Sequence, residues 1–180
     1  MKQIYIVISQ TGTLLSMILK LVTGKEYNHA SFSLDYDLCD MFSFGRKDPY
    51  NPFVGVFLIE HINEGTYKRF KNTKCKVISV DVTDLQYELI CEKLIEMVSN
   101  MEKYKYNLLG LFLAGLDIEF SSSNRFYCSE FVKYLLDVSN VDISMIPNIP
   151  HPVDFLDVSC SNVIYEGCLN DYPKRKVKKL

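Results

Sequence analysis

Asn124 to Val138 reads NRFYCSEFVKYLLDV. Aromatic residues lead into a cysteine, and an apolar ladder follows it. Phe131, Val132, Leu135, Leu136 and Val138 share one helical face, which predicts a helix over 128–137. Cys128 stands three and four residues before Phe131 and Val132, so it points to the same side. One reading is a core thiol, because free cysteine packs as a small hydrophobe. The other is a nucleophile. A thiol at a helix N-terminus meets unpaired N–H groups and the positive end of the dipole, which favour the thiolate. The same N–H groups can form an oxyanion hole.

Working outward, the other segments supply a sheet for this helix to pack on. IYIVIS (4–9) is a short β-branched run and reads as a buried strand. QTGT breaks it, and Thr11 or Thr13 can cap a helix over LLSMILKLVTG that stops at Gly24. NHASFSLDYDLCDMFSFG reads as a β-hairpin turning near DYD. His29, Ser31 and Ser33 face one way in its first arm, and Ala30, Phe32 and Leu34 the other. RKDPYNP reads as a loop; FVGVFLIEHI and CKVISVDV read as strands. TDLQYELICEKLIEMVSNM is the clearest helix, capped by Thr83 or Asp84, with Leu85, Leu89, Ile90, Leu94 and Met97 or Val98 on its stripe. Tyr104–Leu116 reads as a short helix and a bend, SSSN and IPNIPHPVDF as irregular, and NVIYEGCL as a last strand. Strands followed by helices, without strand–helix alternation, give an α+β fold.

The 180 residues suit one domain with a proper core. Hydrophobic residues make up 48% and charged residues 23%, as in ordinary soluble proteins. A net charge of −2 gives no nucleic-acid signature, so no nucleic-acid partner is expected. The domain is expected over 1–170, with 171–180 as a short, solvated basic tail. The longest helical apolar run, LLGLFLAGL, falls far below the ~20 residues that cross a bilayer, so no transmembrane segment is expected. With no signal peptide in MKQIYIVISQTG, the expected location is the cytoplasm. There the six cysteines, which form no C-x-x-C, should be free thiols. Neither metal-ligand spacing nor a Gly-rich phosphate loop is present, so no metal and no cofactor are expected.

A thiolate nucleophile needs a base, and the chain has three histidines. His61 follows Glu60 at a strand, and His151 lies between prolines in an expected surface loop, away from the cysteine. His29 begins the HASFSL strand on its polar face, which marks either a cleft or a solvated surface. A third group should orient the imidazole. A hairpin centred on Tyr36 sets Ser43 opposite His29 and makes it the positional choice. Glu60, on the next strand, is the acidic alternative and would hold an imidazolium more strongly.

KEYNHASFSL followed much later by FYCSEFVKYLL resembles the circularly permuted branch of the NlpC superfamily of papain-like cysteine peptidases, the YiiX-like group related to lecithin:retinol acyltransferase. In that branch the histidine strand precedes the cysteine helix, as here. The resemblance implies a small antiparallel barrel-like sheet packed against helices, with the nucleophile at a helix N-terminus. It implies Cys128 as nucleophile, His29 as base and Ser43 as the polar third residue, where many relatives carry Glu or His. It implies a hydrolase, a thiol protease or amidase, that cleaves the amide bond of a small peptide or amino-acid amide through an acyl-thioester. A lipid acyltransferase or phospholipase, and a non-catalytic binding domain, are the alternatives on the same fold.

Overall fold

A computed structural model describes residues 1–11, 24–48 and 51–175. The helix expected over LLSMILKLVTG therefore lies, except for Gly24, outside the described residues. The fold is mixed α+β, built on one curled eight-stranded sheet. Its strands are β1 (Lys2–Gln10), β2 (His29–Ser33), β3 (Met41–Asp48), β4 (Asn51–Glu60), β5 (Lys74–Val82), β6 (Lys105–Tyr106), β7 (Arg125–Phe126) and β8 (Ser161–Cys168). They run in the order β7-β6-β4-β3-β2-β1-β5-β8. Every pair is antiparallel except β6–β7, so the sheet is mixed where an antiparallel one was expected.

β1 is buried on both faces from Ile4 to Ser9. Ile4, Ile6 and Ile8 join Phe32, Phe44, Phe57, Ile78 and Val80 in the larger core. Tyr5 and Val7 join Leu38, Met41, Tyr67, Cys75, Val77 and Leu169 in a second one on the opposite face. The period of two along each strand divides the side chains between these layers. Helix α4 (Cys128–Val138) closes the larger core with Phe131, Val132, Leu135 and Leu136, all fully buried. Its Phe131 ring meets Phe44 at 5.4 Å and Phe57 at 5.5 Å between centroids. Each such side chain contributes about 1.5–3 kcal/mol by leaving water. Helix α2 (Asp84–Ser99) packs on the same layer through Ile90, Leu94 and Met97, and Thr83 forms its capping box with Gln86. Leu85, expected on its buried stripe, is exposed, and of the alternatives Met97 and Val98 it is Met97 that is buried.

Three local expectations change. The described part of RKDPYNP is strand: Arg46–Asp48 end β3, Asn51 and Pro52 begin β4, and Asp48 pairs with Asn51. That pairing accompanies a β4 register with Met41 opposite Glu60. The first hairpin turns later than Tyr36. Phe32 faces Phe42, which continues to Ser31 opposite Ser43 and His29 opposite Gly45. Leu38, at φ 52, takes a left-handed turn position, and the Asp35 carboxylate accepts from the Cys39 N–H, lengthening the turn. Part of the stretch expected as a solvated tail packs on the fold. Tyr172 is buried and donates to the Tyr36 carbonyl at 2.8 Å, and the Arg175 guanidinium lies 4.2 Å over the Tyr36 ring. Among the described residues, no helix is long and apolar enough to cross a membrane.

Candidate active site

Cys128 is the first residue of α4, as the spacing predicts. Each residue after it has a local task. Ser129 is buried and donates to the Pro150 carbonyl at 2.8 Å, tying the proline-rich loop beside the thiol. Glu130 accepts from the Tyr127 N–H at 3.2 Å, capping its own helix, and from the Asn107 side-chain amide at 3.3 Å. Asn107 in turn caps helix α3 (Leu108–Ala114) by accepting from the Gly110 N–H at 2.9 Å. A β-carbon at Gly110 would run into that Asn107 side chain, so glycine is required there. Phe131 is core. The stretch CSEF thus fixes the thiol by anchoring its helix start to two neighbouring segments.

The thiol is buried, with 4% of Cys128 exposed, and its Sγ lies 4.0 Å from the Asn28 carbonyl oxygen. Asn28 donates its N–H to Ser9 O at 3.1 Å, which extends the β1–β2 ladder by one residue. His29 follows on β2. Its Nε2 meets the Glu60 carboxylate at 3.1 Å and 3.0 Å, one distance to each oxygen. The imidazole also interacts with the Cys128 side chain. Nε2 faces Glu60, so Nδ1 is the ring nitrogen that the carboxylate does not engage. Burial alone would pull the imidazole below its ordinary value. The Glu60 charge, then the Cys128 side chain, outweigh it and raise His29 to about 10. Burial would raise the Glu60 carboxyl, but His29, Ser31 and Tyr67 hold it below its ordinary value. At neutral pH the pair is therefore imidazolium and carboxylate, with side chains only 15% and 10% exposed.

Ser43 does not reach the imidazole. It is fully buried and donates to the Ala30 carbonyl at 2.7 Å, a consequence of the hairpin register two residues away from the Tyr36-centred one. The imidazole contact is made by Glu60, the acidic alternative, instead. The face carrying His29, Ser31 and Ser33 is not a solvated surface, since both serines are fully buried. His61 uses its two nitrogens on Asp40 at 3.1 Å and Glu64 at 3.2 Å, on an exposed surface. His151 is the surprise: with Tyr27, Leu111, Ala114, Pro150 and Pro152 it lines the cleft that opens onto Cys128. Burial and then the Lys25 ammonium hold its imidazole below the ordinary value.

Sequence reasoning missed two further contacts. Ser31 donates to Glu60 Oε2 at 2.6 Å, and the Tyr67 hydroxyl reaches the same oxygen at 3.4 Å. Ser31 was legible, since it shares the strand face of His29. Tyr67 was not, because it lies on a five-residue helix, α1 (Gly65–Arg69), that carries no apolar periodicity. Among the described residues, no cluster of three or more His, Cys, Asp or Glu could hold a metal ion. The chain matches no protein-family model, and no curated protein matches it.

Proposed function

We propose that the protein is a cysteine hydrolase that cleaves the amide bond of a small peptide or amino-acid amide, with Cys128 as nucleophile, His29 as acid–base and Glu60 as orienting carboxylate. The observation that carries this reading is the buried His29 imidazole, held by Glu60 on one side and interacting with Cys128 on the other. The order of the two residues and the curled sheet beneath the cysteine helix suit a permuted papain-like enzyme. The cytoplasm is the working compartment in this reading, where its six free thiols stay reduced.

The Cys128 thiolate attacks the substrate carbonyl carbon, forming a C–S bond while the carbonyl electron pair moves to oxygen. N–H groups of the first turn of α4 face that oxygen, where developing charge gains most from fixed dipoles. As the tetrahedral species collapses, the C–N bond breaks and the His29 imidazolium gives its proton to the departing amine. His29, now neutral, takes a proton from water as the hydroxide adds to the thioester carbonyl. Collapse releases the carboxylic acid and the thiolate, and the imidazolium is restored. Glu60 keeps the ring aligned and stabilises its charged form throughout.

One observation favours a second reading, hydrolysis or transfer of a lipid acyl group. Leu109, Phe112, Leu116, Ile118 and Phe120 are all exposed, on and after the helix whose Leu111 and Ala114 line the Cys128 cleft. Incubation with a peptide vinyl sulfone and with a long-chain fatty-acid p-nitrophenyl ester, which would leave its acyl group on the thiol as p-nitrophenolate departs, followed by intact-mass analysis, tests both. The expected result is a single adduct on Cys128 with the amide-type probe, absent in Cys128→Ala and His29→Ala. Labelling by the ester probe alone would transfer the site to lipid chemistry. No adduct with either probe would overturn both readings.

A further inference from the structure

Glu60 is a buried anion, and a buried carboxylate survives in the ionised form only where donors replace its lost water. His29 spans both its oxygens, leaving lone pairs to be filled. Two hydroxyls fill them on Oε2, Ser31 at 2.6 Å and Tyr67 at 3.4 Å. Oε1 lies on the side of Gly45, where an added β-carbon would stand at an ordinary van der Waals distance of 3.7 Å. The donors arrive from separate elements. Ser31 sits two residues along β2 from His29, on the same face, so one strand carries both the base and the clamp on its partner. Tyr67 comes from α1 and is fully buried, with no water to turn towards.

Building on the proposed function, we infer that Ser31 and Tyr67 are positioning residues of the site, whose hydroxyls clamp the Glu60 carboxylate against His29 and so keep the imidazole directed at Cys128. The Ser31 hydrogen bond is short, as expected for a hydroxyl donating to an ionised acceptor. Burial, and then the Glu60 charge, push the Tyr67 phenol well above its ordinary value, so it remains a donor throughout the working range. The titratable groups facing the cluster are His29 on β2, Glu60 on β4, Tyr67 on α1, Cys128 on α4 and Cys75 on β5. Cys75 is a neutral thiol pushed up to about 12 by burial and by Cys168. Without a hydroxyl donor, Glu60 is harder to keep ionised, and the His29 imidazolium loses part of its counter-charge.

The test is the titration of the His29 imidazole by NMR in the full-length protein and in Ser31→Ala, Tyr67→Phe and Ser43→Ala, alongside the pH profile of Cys128 alkylation by iodoacetate. That reagent is an anion drawn by the imidazolium, so its alkaline limb follows His29. Ser31→Ala is expected to lower the His29 midpoint by about one unit, and the alkylation rate at pH 9 by about twofold, as the imidazolium fraction falls from about nine-tenths to about one-half. Tyr67→Phe, which removes the longer bond and keeps the ring in the core, is expected to move both in the same direction by less. Ser43→Ala removes an equally buried hydroxyl from the same sheet face, but one donated to a backbone carbonyl, and should leave the midpoint in place. Unmoved midpoints in both Ser31→Ala and Tyr67→Phe overturn the inference, as does an equal shift in Ser43→Ala. If Ser31→Ala does not fold, Tyr67→Phe decides alone. A wild-type Cys128 that alkylates without any dependence on His29 instead removes the catalytic reading beneath it.

Discussion

Cys75 and Cys128 are both buried thiols near one end of the sheet, and β1 separates the first from His29: Ser9 pairs with His29 on one side and with Cys75 on the other. Around Cys75 the neighbours are Val77, Leu169 and Tyr67, and burial drives its thiol up to about 12. Around Cys128 there is a helix start, a cleft and an imidazole tied to a carboxylate. Burial is nearly equal, at 0% and 4% exposure. What differs is the company of each sulfur. A thiol among side chains that offer no positive charge has nothing to stabilise its anion. Cys128 stands instead at a helix N-terminus with the His29 imidazole in its electrostatic surroundings.

The largest expected effect is that contrast itself. Native protein treated with iodoacetamide at neutral pH should take one rapid equivalent at Cys128, at least about a hundredfold faster than at Cys75, which should react only on unfolding. Peptide mapping by mass spectrometry reads both sites at once. Equal rates would break the comparison. His29→Ala should slow the Cys128 reaction by about 10²-fold or more and leave Cys75 as it was. Circular dichroism checks that the fold is retained, because removing His29 leaves the buried Glu60 carboxylate without its counter-charge and is itself expected to cost on the order of 3 kcal/mol.

The difference between the two thiols was half legible in the sequence. The Cys128 helix announces itself through Phe131, Val132, Leu135 and Leu136, a local period that tertiary packing only reinforces. The alternation in HASFS likewise put His29 and Ser31 on one face. Choosing Glu60 over Ser43 required the register of two successive hairpins. Both registers hang on turn residues, Asp35–Cys39 in one and the short Asp48–Asn51 end in the other. A shift of two residues keeps every side chain on its face, so hydrophobic patterning cannot detect it. His151 was misplaced because its position depends on the Ser129–Pro150 bond, a long-range contact with no sequence period.

Next in size is Glu60→Gln. A neutral amide beside His29 removes the charge that offsets burial, so the imidazole should fall well below its wild-type value of about 10. The Cys128 reaction should then slow at least about tenfold. Breaking a buried pair is expected to cost on the order of 3 kcal/mol. Its pH dependence has a definite sign. His29, raised in the folded protein, adds stability that is full below about 6.5 and is lost as the pH climbs through about 10. Glu60, lowered in the folded protein, adds stability above its ordinary range of about 4.3–4.5, lost as the pH falls through its lower folded value. Melting temperatures of the wild type should therefore be highest near pH 5–6, roughly between those limits, and decline on both sides. Glu60→Gln should flatten the curve, and an unchanged curve would remove the ion pair from the stability of the fold.

The smallest expected effect belongs to Gly45, which faces His29 across the hairpin. A β-carbon there would stand 3.3 Å from Leu58 Cδ2 and 3.7 Å from both Glu60 Oε1 and His29 Cε1. The first contact is tight but falls on the tip of a flexible, partly exposed side chain, which can swing away. The other two are ordinary van der Waals contacts. Glycine within a strand costs about 0.5–1 kcal/mol in backbone entropy, so Gly45→Ala should leave the stability level or raise it slightly. The methyl group would also cover part of the imidazole edge and keep water from it. The Cys128 reaction should change by no more than about threefold, under 1 kcal/mol. If Gly45→Ala silences Cys128 while the melting temperature holds, the space beside His29 belongs to the substrate. The contrast between the two thiols would then depend on room as much as on charge.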